Sequence, residues 1–195
     1  MKKAELFLGI GLLLLMILRL FVSYPYSAIL ITLTSILLGL IYFFLSFLLL
    51  NGIKLRHLTK TGAFAGISSL RIIGTICTGI ILSFIIIYSL FKFQEWPYGS
   101  IGLGLSLQLM AVIVVITIIK LIRTKKQFYS TLLMRLGIIS FLSLTFYFVP
   151  DAKLLEIKYR DYPEYIEAEK NLRKDPSNKV LQQKAREERI KMDKS

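Results

Sequence analysis

Three charged side chains, Arg19, Lys92 and Glu95, stand at the ends of otherwise apolar stretches. Arg19 precedes Leu20-Phe21, Lys92 follows Leu90-Phe91, and Glu95 lies three residues beyond Lys92. Two cations and an acid at one membrane level can pair, hold a polar ligand or ion, or line the mouth of a path, and an ionisable group at membrane depth is a candidate site by default. The spacing of three predicts a Lys92–Glu95 pair if the helix continues that far. Other chemistry-bearing residues are scattered. His57 lies in "NGIKLRHLTKTG" with no acid near it in sequence, Cys77 lies alone in an apolar run, and "GIGLGLSL" has no following Gly-Lys-Ser/Thr. Nucleophilic, acid–base and metal chemistry all need partnered groups that these residues do not supply. The expectation is a protein that is not an enzyme and has no cofactor, metal or catalytic residue.

The elements that must position the three charges are membrane spans. The chain is 55% hydrophobic, and Val22 to Ile53, Ile72 to Phe91 and Trp96 to Ile119 contain no charged residue. Each is at or above the roughly 18 to 20 residues that cross the hydrocarbon core. The predicted fold class is all-α, a polytopic membrane helix bundle with five transmembrane helices at about 4–24, 26–50, 70–92, 98–120 and 131–149. Residues 1–150 form the transmembrane bundle and residues 151–195 a charged helical tail. In the fifth span Arg135 is expected one turn from the end, snorkelling to the interface. The loops on the N-terminal side carry eleven basic residues and one acid, Glu5, which predicts a cytoplasmic N-terminus and an external tail. Because the basic residues lie in juxtamembrane loops, no nucleic acid partner is expected.

The two short turns resemble one another. "PYSAI" at Pro25 to Ile29 falls on "PYGSI" at Pro97 to Ile101, and the preceding Leu-Phe pairs also correspond, which suggests two parallel-repeat hairpins followed by a fifth span. Tyr24, Pro25, Tyr26, Trp96, Pro97 and Tyr98 read as interfacial turns, with proline ending one helix and the aromatic rings settling at headgroup level. Small residues four apart, Thr75 with Gly79, Ser100 with Gly104 and Gly102 with Ser106, predict close helix packing. Gly62 with Gly66 has the same spacing.

The hairpin at 89–123 resembles the transmembrane hairpin of the GldL-type gliding-motility and type IX secretion membrane proteins and of related small membrane proteins. Phe91-Lys92, Trp96-Pro97 and Gly99 to Gly104 carry the likeness, over about 40 of the 195 residues. It implies an envelope protein of that kind of bacterium, with the bacterial inner membrane as the expected location. It does not imply the family's motor, because Trp96 to Ile119 contains no acid and Gln108 is the most polar side chain there.

The tail holds twelve basic and ten acidic residues. Two short helices are expected, from about Pro163 and about Pro176, with too little apolar surface for an independent core. The tail is therefore expected to pack on a protein partner or on a second copy, or to remain partly mobile. The leading expectation is a scaffold or subunit of an envelope complex, embedded in the lipid bilayer. The alternative is a small transporter or channel subunit with Arg19, Lys92 and Glu95 at its outer mouth and Gln108 and Thr117 deeper.

Overall fold

The structure is a computed structural model that describes residues 2–22, 24, 26–57 and 64–194. Pro25 and Gly62 lie outside the described residues. The helices are α1 (Lys2–Phe21), α2 (Ser27–Asn51), α3 (Ser69–Gln94), α4 (Gly99–Thr124), α5 (Gln127–Phe148), α6 (Asp151–Lys158), α7 (Pro163–Lys174) and α8 (Lys179–Lys194), and a 3-10 turn covers Leu55–His57. No strand occurs among the described residues. Among the described residues five helices, α1 to α5, are long and apolar enough to cross a membrane, the plan of a multi-pass membrane protein.

The helices pack in sequence order, α1 on α2, α2 on α3, α3 on α4 and α4 on α5. Glycine permits the closest approach. A Cβ placed on Gly79 would lie 2.0 Å from the Ser46 Cβ and 2.5 Å from the Tyr42 carbonyl oxygen, so the seam between α2 and α3 accepts only hydrogen there. Gly102 meets the Tyr88 ring in the same way between α3 and α4, and Gly104 faces Tyr147 of α5. Ile31, Leu38, Leu82, Leu90, Leu103 and Leu136 are among the buried side chains between the helices, while large apolar residues elsewhere on α1 to α5 face outward. In an aqueous protein such a surface would be unstable; against lipid it is the expected exterior.

Helix ends are set by a few backbone positions. Gly52 ends α2 at φ 74°, with its own N–H on the Leu49 carbonyl and that of Ile53 on the Leu48 carbonyl. The same left-handed position after α3 is occupied by Glu95, at φ 61°, with Glu95 N–H on Lys92 and Trp96 N–H on Phe91. Glycine is the usual residue here, and a side chain costs about 1 to 2 kcal/mol. The two turns between spans match at an offset of 72 residues. Tyr26 and Tyr98 both take the left-handed conformation, at φ 58° and 64°, and both are 76% exposed. Ser27 N–H reaches the Tyr24 carbonyl as Gly99 N–H reaches that of Trp96, and Leu30 N–H reaches Tyr26 as Gly102 N–H reaches Tyr98.

Several expectations are corrected. The fifth span runs Gln127–Phe148 instead of 131–149, so Arg135 sits over two turns inside it and pairs with Glu5 (3.1 Å) instead of snorkelling. The described residues of the tail form three helices, because "DAKLLEIK" folds directly after Pro150. Its last helix starts at Lys179 and not at Pro176, since the Asn178 Oδ1 accepts from the N–H groups of Val180 and Leu181 and so caps it there. The tail also packs on its own bundle, through α6 against α1, ion pairs to Lys92 and Glu95 at the end of α3, and the Ser100–Asp151 hydrogen bond to α4.

Candidate functional site

Glu95 is the centre of the tail end of the bundle. It follows α3 in left-handed backbone, and the predicted Lys92–Glu95 pair does not form, Lys92 pairing with Asp151. Instead Arg173 of α7 donates to Glu95 Oε2 at 2.6 Å, and the Lys158 ammonium of α6 lies 3.6 Å from Oε1. That second distance is an ion pair and no hydrogen bond; Oε1 is buried and accepts none. Lys158 donates to the Phe93 carbonyl oxygen at 3.2 Å and is nearly buried. Arg160 donates to the carbonyl of Phe21. Two tail cations thus reach the last-turn carbonyls of α3 and α1, groups that have no partner within their own helices and carry the negative end of the helix dipole.

Lys92 has other partners. Its ammonium, with the side chain 3% exposed, donates to the Tyr147 carbonyl at 2.7 Å and lies 3.5 Å from Asp151 at the start of α6. The Ser100 hydroxyl hydrogen-bonds both Asp151 oxygens, at 2.9 and 3.0 Å. Ser100 is therefore a tail contact more than a packing residue, because it lies in the first turn of α4, level with the start of α6. Arg19 lies in the last turn of α1 and is near enough for its charge to act on Lys158.

The electrostatics reflect this crowding. Burial lowers the Lys158 ammonium below its ordinary value, with Arg19 and Arg189 pushing the same way and Glu95 opposing. Burial raises the Tyr159 phenol to about 12, helped by Glu95. For Arg173, burial acts downward but Glu95 and Glu169 outweigh it, and the guanidinium ends raised.

Between the α3–α4 turn and the tail lies a cleft of about 390 Å³, lined by Lys92, Glu95, Trp96, Pro97, Tyr98, Gly99, Ser100, Ile101, Asp151, Glu169 and Arg173. Trp96 stacks edge-on against Phe91, 5.1 Å between ring centres. Tyr24 instead donates its hydroxyl to the Leu15 carbonyl at 2.9 Å. Thr75 accepts from Asn51 across the α2–α3 seam, and the Ser106 hydroxyl returns to the Gly102 carbonyl. Gln108 is exposed and Thr117 is buried, so the two do not share a surface. Among the described residues no three His, Cys, Asp or Glu side chains are grouped to hold a metal ion.

A second polar node lies at the other end. Glu5 Oε1 accepts from Tyr42 at 2.6 Å and from Arg135 at 3.1 Å, joining α1, α2 and α5. At the same end of the bundle Arg71 donates to Asn51 at 2.7 Å and stacks over the Phe128 ring at 3.5 Å. Sequence reasoning missed Lys158, Arg160 and Arg173. For Lys158 and Arg160 the available signal was their distance from the last span: Pro150 starts α6 at once, and eight helical residues advance only about 12 Å, which keeps them at the level of the turns; Arg173, near the end of the following helix, carried no such signal.

The chain matches no family model, no curated protein and no solved structure.

Proposed function

We propose that the chain is a non-enzymatic, five-span protein of a bacterial inner membrane, a scaffold or subunit of an envelope complex, with its N-terminus in the cytoplasm and its tail outside. The observation that carries this reading is the grip on Glu95 by Arg173 and Lys158, which ties the tail to the end of α3 and fixes how α7 and α8 stand on the bundle. α8 packs on α7 and buries Ala185, leaving Val180, Lys184, Arg186 and Ile190 exposed as a face for a partner protein. An acid at a left-handed helix end, where glycine would be relaxed, is the kind of strain that function maintains. The likeness to the GldL-type hairpin and the matching turns support an envelope protein built by internal duplication.

The test is capture of partners by the full chain, tagged at its N-terminus, in gentle detergent. A stoichiometric protein should be retained by the native chain and lost with Glu95→Gln and with Ile190→Asp. Capture indifferent to both would remove the platform reading. Orientation is tested in a Cys77→Ser background: Ser177→Cys should react with an impermeant thiol reagent added outside, and Arg56→Cys should not. The reverse pattern would invert the topology.

A further inference from the structure

We propose that the N-terminal end of the bundle is a binding face for anionic phospholipid, with headgroup phosphates of the surrounding leaflet held by Lys120, Arg123, Lys125 and Lys126 at the α4–α5 turn. These four cations fall within "KLIRTKK", and α4 passes to α5 through Lys125 and Lys126 alone. All four side chains are exposed, and among the described residues none of them has an acid or another hydrogen-bond acceptor as partner. The supply of acids explains why. Outside the tail the chain has only Glu5 and Glu95. Glu95 is at the opposite end, held by Lys158 and Arg173, and Glu5 is engaged by Tyr42 and Arg135. The tail end therefore meets its cations with acids of the same chain, whereas the N-terminal end needs anions from outside.

The side chains beside these cations favour lipid over a soluble acidic partner. Ile119 and Ile122, 45% and 68% exposed, adjoin Lys120 and Arg123 in the last turns of α4. Leu55, 52% exposed, stands between the exposed Lys54 and Arg56 in the 3-10 turn after α2, a second segment at the same end. Apolar side chains interleaved with long cationic ones suit the boundary between acyl chains and headgroups, where the first enter hydrocarbon and the second reach phosphate. A polar acidic protein or a nucleic acid would leave the isoleucines and Leu55 without a matching surface. Lys120 and Arg123, three apart, lie on one helix face, so α4 offers two charges together and the turn adds two more. Such binding needs α1 to α5 to cross a bilayer and depends neither on the tail's partner nor on which side the tail faces.

The full chain is reconstituted in nanodiscs holding equal phosphatidylglycerol and phosphatidylcholine, and retained lipid is read by native mass spectrometry. Phosphatidylglycerol should be enriched about tenfold or more, less so in about 0.5 M salt. Lys120→Gln with Arg123→Gln, and Lys125→Gln with Lys126→Gln, should each lower the enrichment about fivefold or more, the ratio that roughly 1 kcal/mol gives. Lys179→Gln with Lys184→Gln, at exposed positions of α8, should leave it unchanged. Thermal unfolding in phosphatidylcholine alone checks that each variant is folded, and the native chain decides by itself if one is not. Equal retention of the two lipids by the native chain overturns the proposal. So does an enrichment that the α8 pair abolishes and both turn pairs leave intact. Glycerophosphoglycerol, the same headgroup without acyl chains, should fail to displace the bound lipid at millimolar concentration; displacement would overturn the lipid source in favour of a free phosphate ester.

Discussion

At the N-terminal end of the bundle Glu5 draws together Tyr42 and Arg135 from two other spans, whereas at the tail end Glu95 draws together Lys158 and Arg173 from outside the spans altogether. Both acids are mostly withdrawn from solvent, at 13% and 12% exposure, and both face cations. The difference lies in what breaks when the acid is removed. At Glu5 the partners belong to the bundle, so its loss strands a phenol and a guanidinium within the helix packing. At Glu95 the partners belong to a tail that can leave, and water can take over their solvation. The first acid contributes to global stability, the second to a local equilibrium between docked and undocked tail.

The largest effect is expected at neither end but in the seam that joins them. Gly79→Leu places a side chain where even a Cβ collides with Ser46 and the Tyr42 backbone, and should cost about 3 kcal/mol or more through overpacking. Gly74→Ala, with nothing within 4 Å of the new Cβ, should be neutral or stabilising by up to about 1 kcal/mol. Thermal unfolding in detergent separates them. Equal effects would mean that the α2–α3 seam is not as tight as described.

The second prediction sets the two acids against each other. Glu5→Ala should destabilise the bundle by about 2 to 4 kcal/mol, less than a fully buried pair because Arg135 is 21% exposed, and should leave tail protection unchanged. Glu95→Gln should barely move bundle unfolding but raise protease cleavage within α7 by about tenfold or more. Glu95→Gly discriminates backbone from charge: it relaxes the left-handed helix end yet removes the carboxylate. If the tail stays docked in Glu95→Gly, the ionic grip is not what holds it.

Five spans and their order were legible because apolar block length alone decides what can cross a bilayer. The cleft was not. Its walls come from residues 92–101 and 151–173, which share no periodicity, and their meeting depends on Glu95 adopting a conformation that residue type argues against. Arg135 was misread for a related reason. Counting residues from a presumed span edge placed it near water, and the edge itself lay four residues earlier, at Gln127. Tyr24 and Trp96 were grouped as equivalent aromatics; they do occupy matching turn positions, but one bonds back into α1 and the other walls the cleft.

A third prediction follows pH through the tail contact alone. Tyr159 is raised to about 12 from an ordinary 10, so its protonated form favours docking, fully below pH 10 and decreasingly as pH rises toward 12. Lys158 is lowered, so docking disfavours its proton, and that penalty fades as pH rises from the lowered value toward 10.5. Protection of α7 should therefore rise with pH to a maximum near 10 and then fall. Lys158→Met should flatten the rising arm and Tyr159→Phe the falling arm. A profile unchanged by both variants would mean that neither group meets the bundle as described.

The smallest effects are expected at the two matched tyrosines. Tyr26 and Tyr98 hold left-handed backbone at a cost of about 1 to 2 kcal/mol each. Glycine removes that strain but adds roughly 0.5 to 1 kcal/mol of unfolded-chain freedom to be lost on folding. Both side chains are mostly exposed, so little packing goes with them. Tyr26→Gly should stabilise the bundle by about 0 to 1 kcal/mol in detergent, where the headgroup anchoring of the ring is absent. Tyr98→Gly starts from the same backbone change but also alters a wall of the cleft that the tail completes. The difference between the two variants isolates what the tail contributes to the second turn. If Tyr98→Gly is less favourable by a few tenths of a kcal/mol only while the tail is docked, and the gap closes in Glu95→Gln, the two turns are one device of which the tail has taken hold of a single copy. A gap that persists without the tail would show instead that the turns differ on their own.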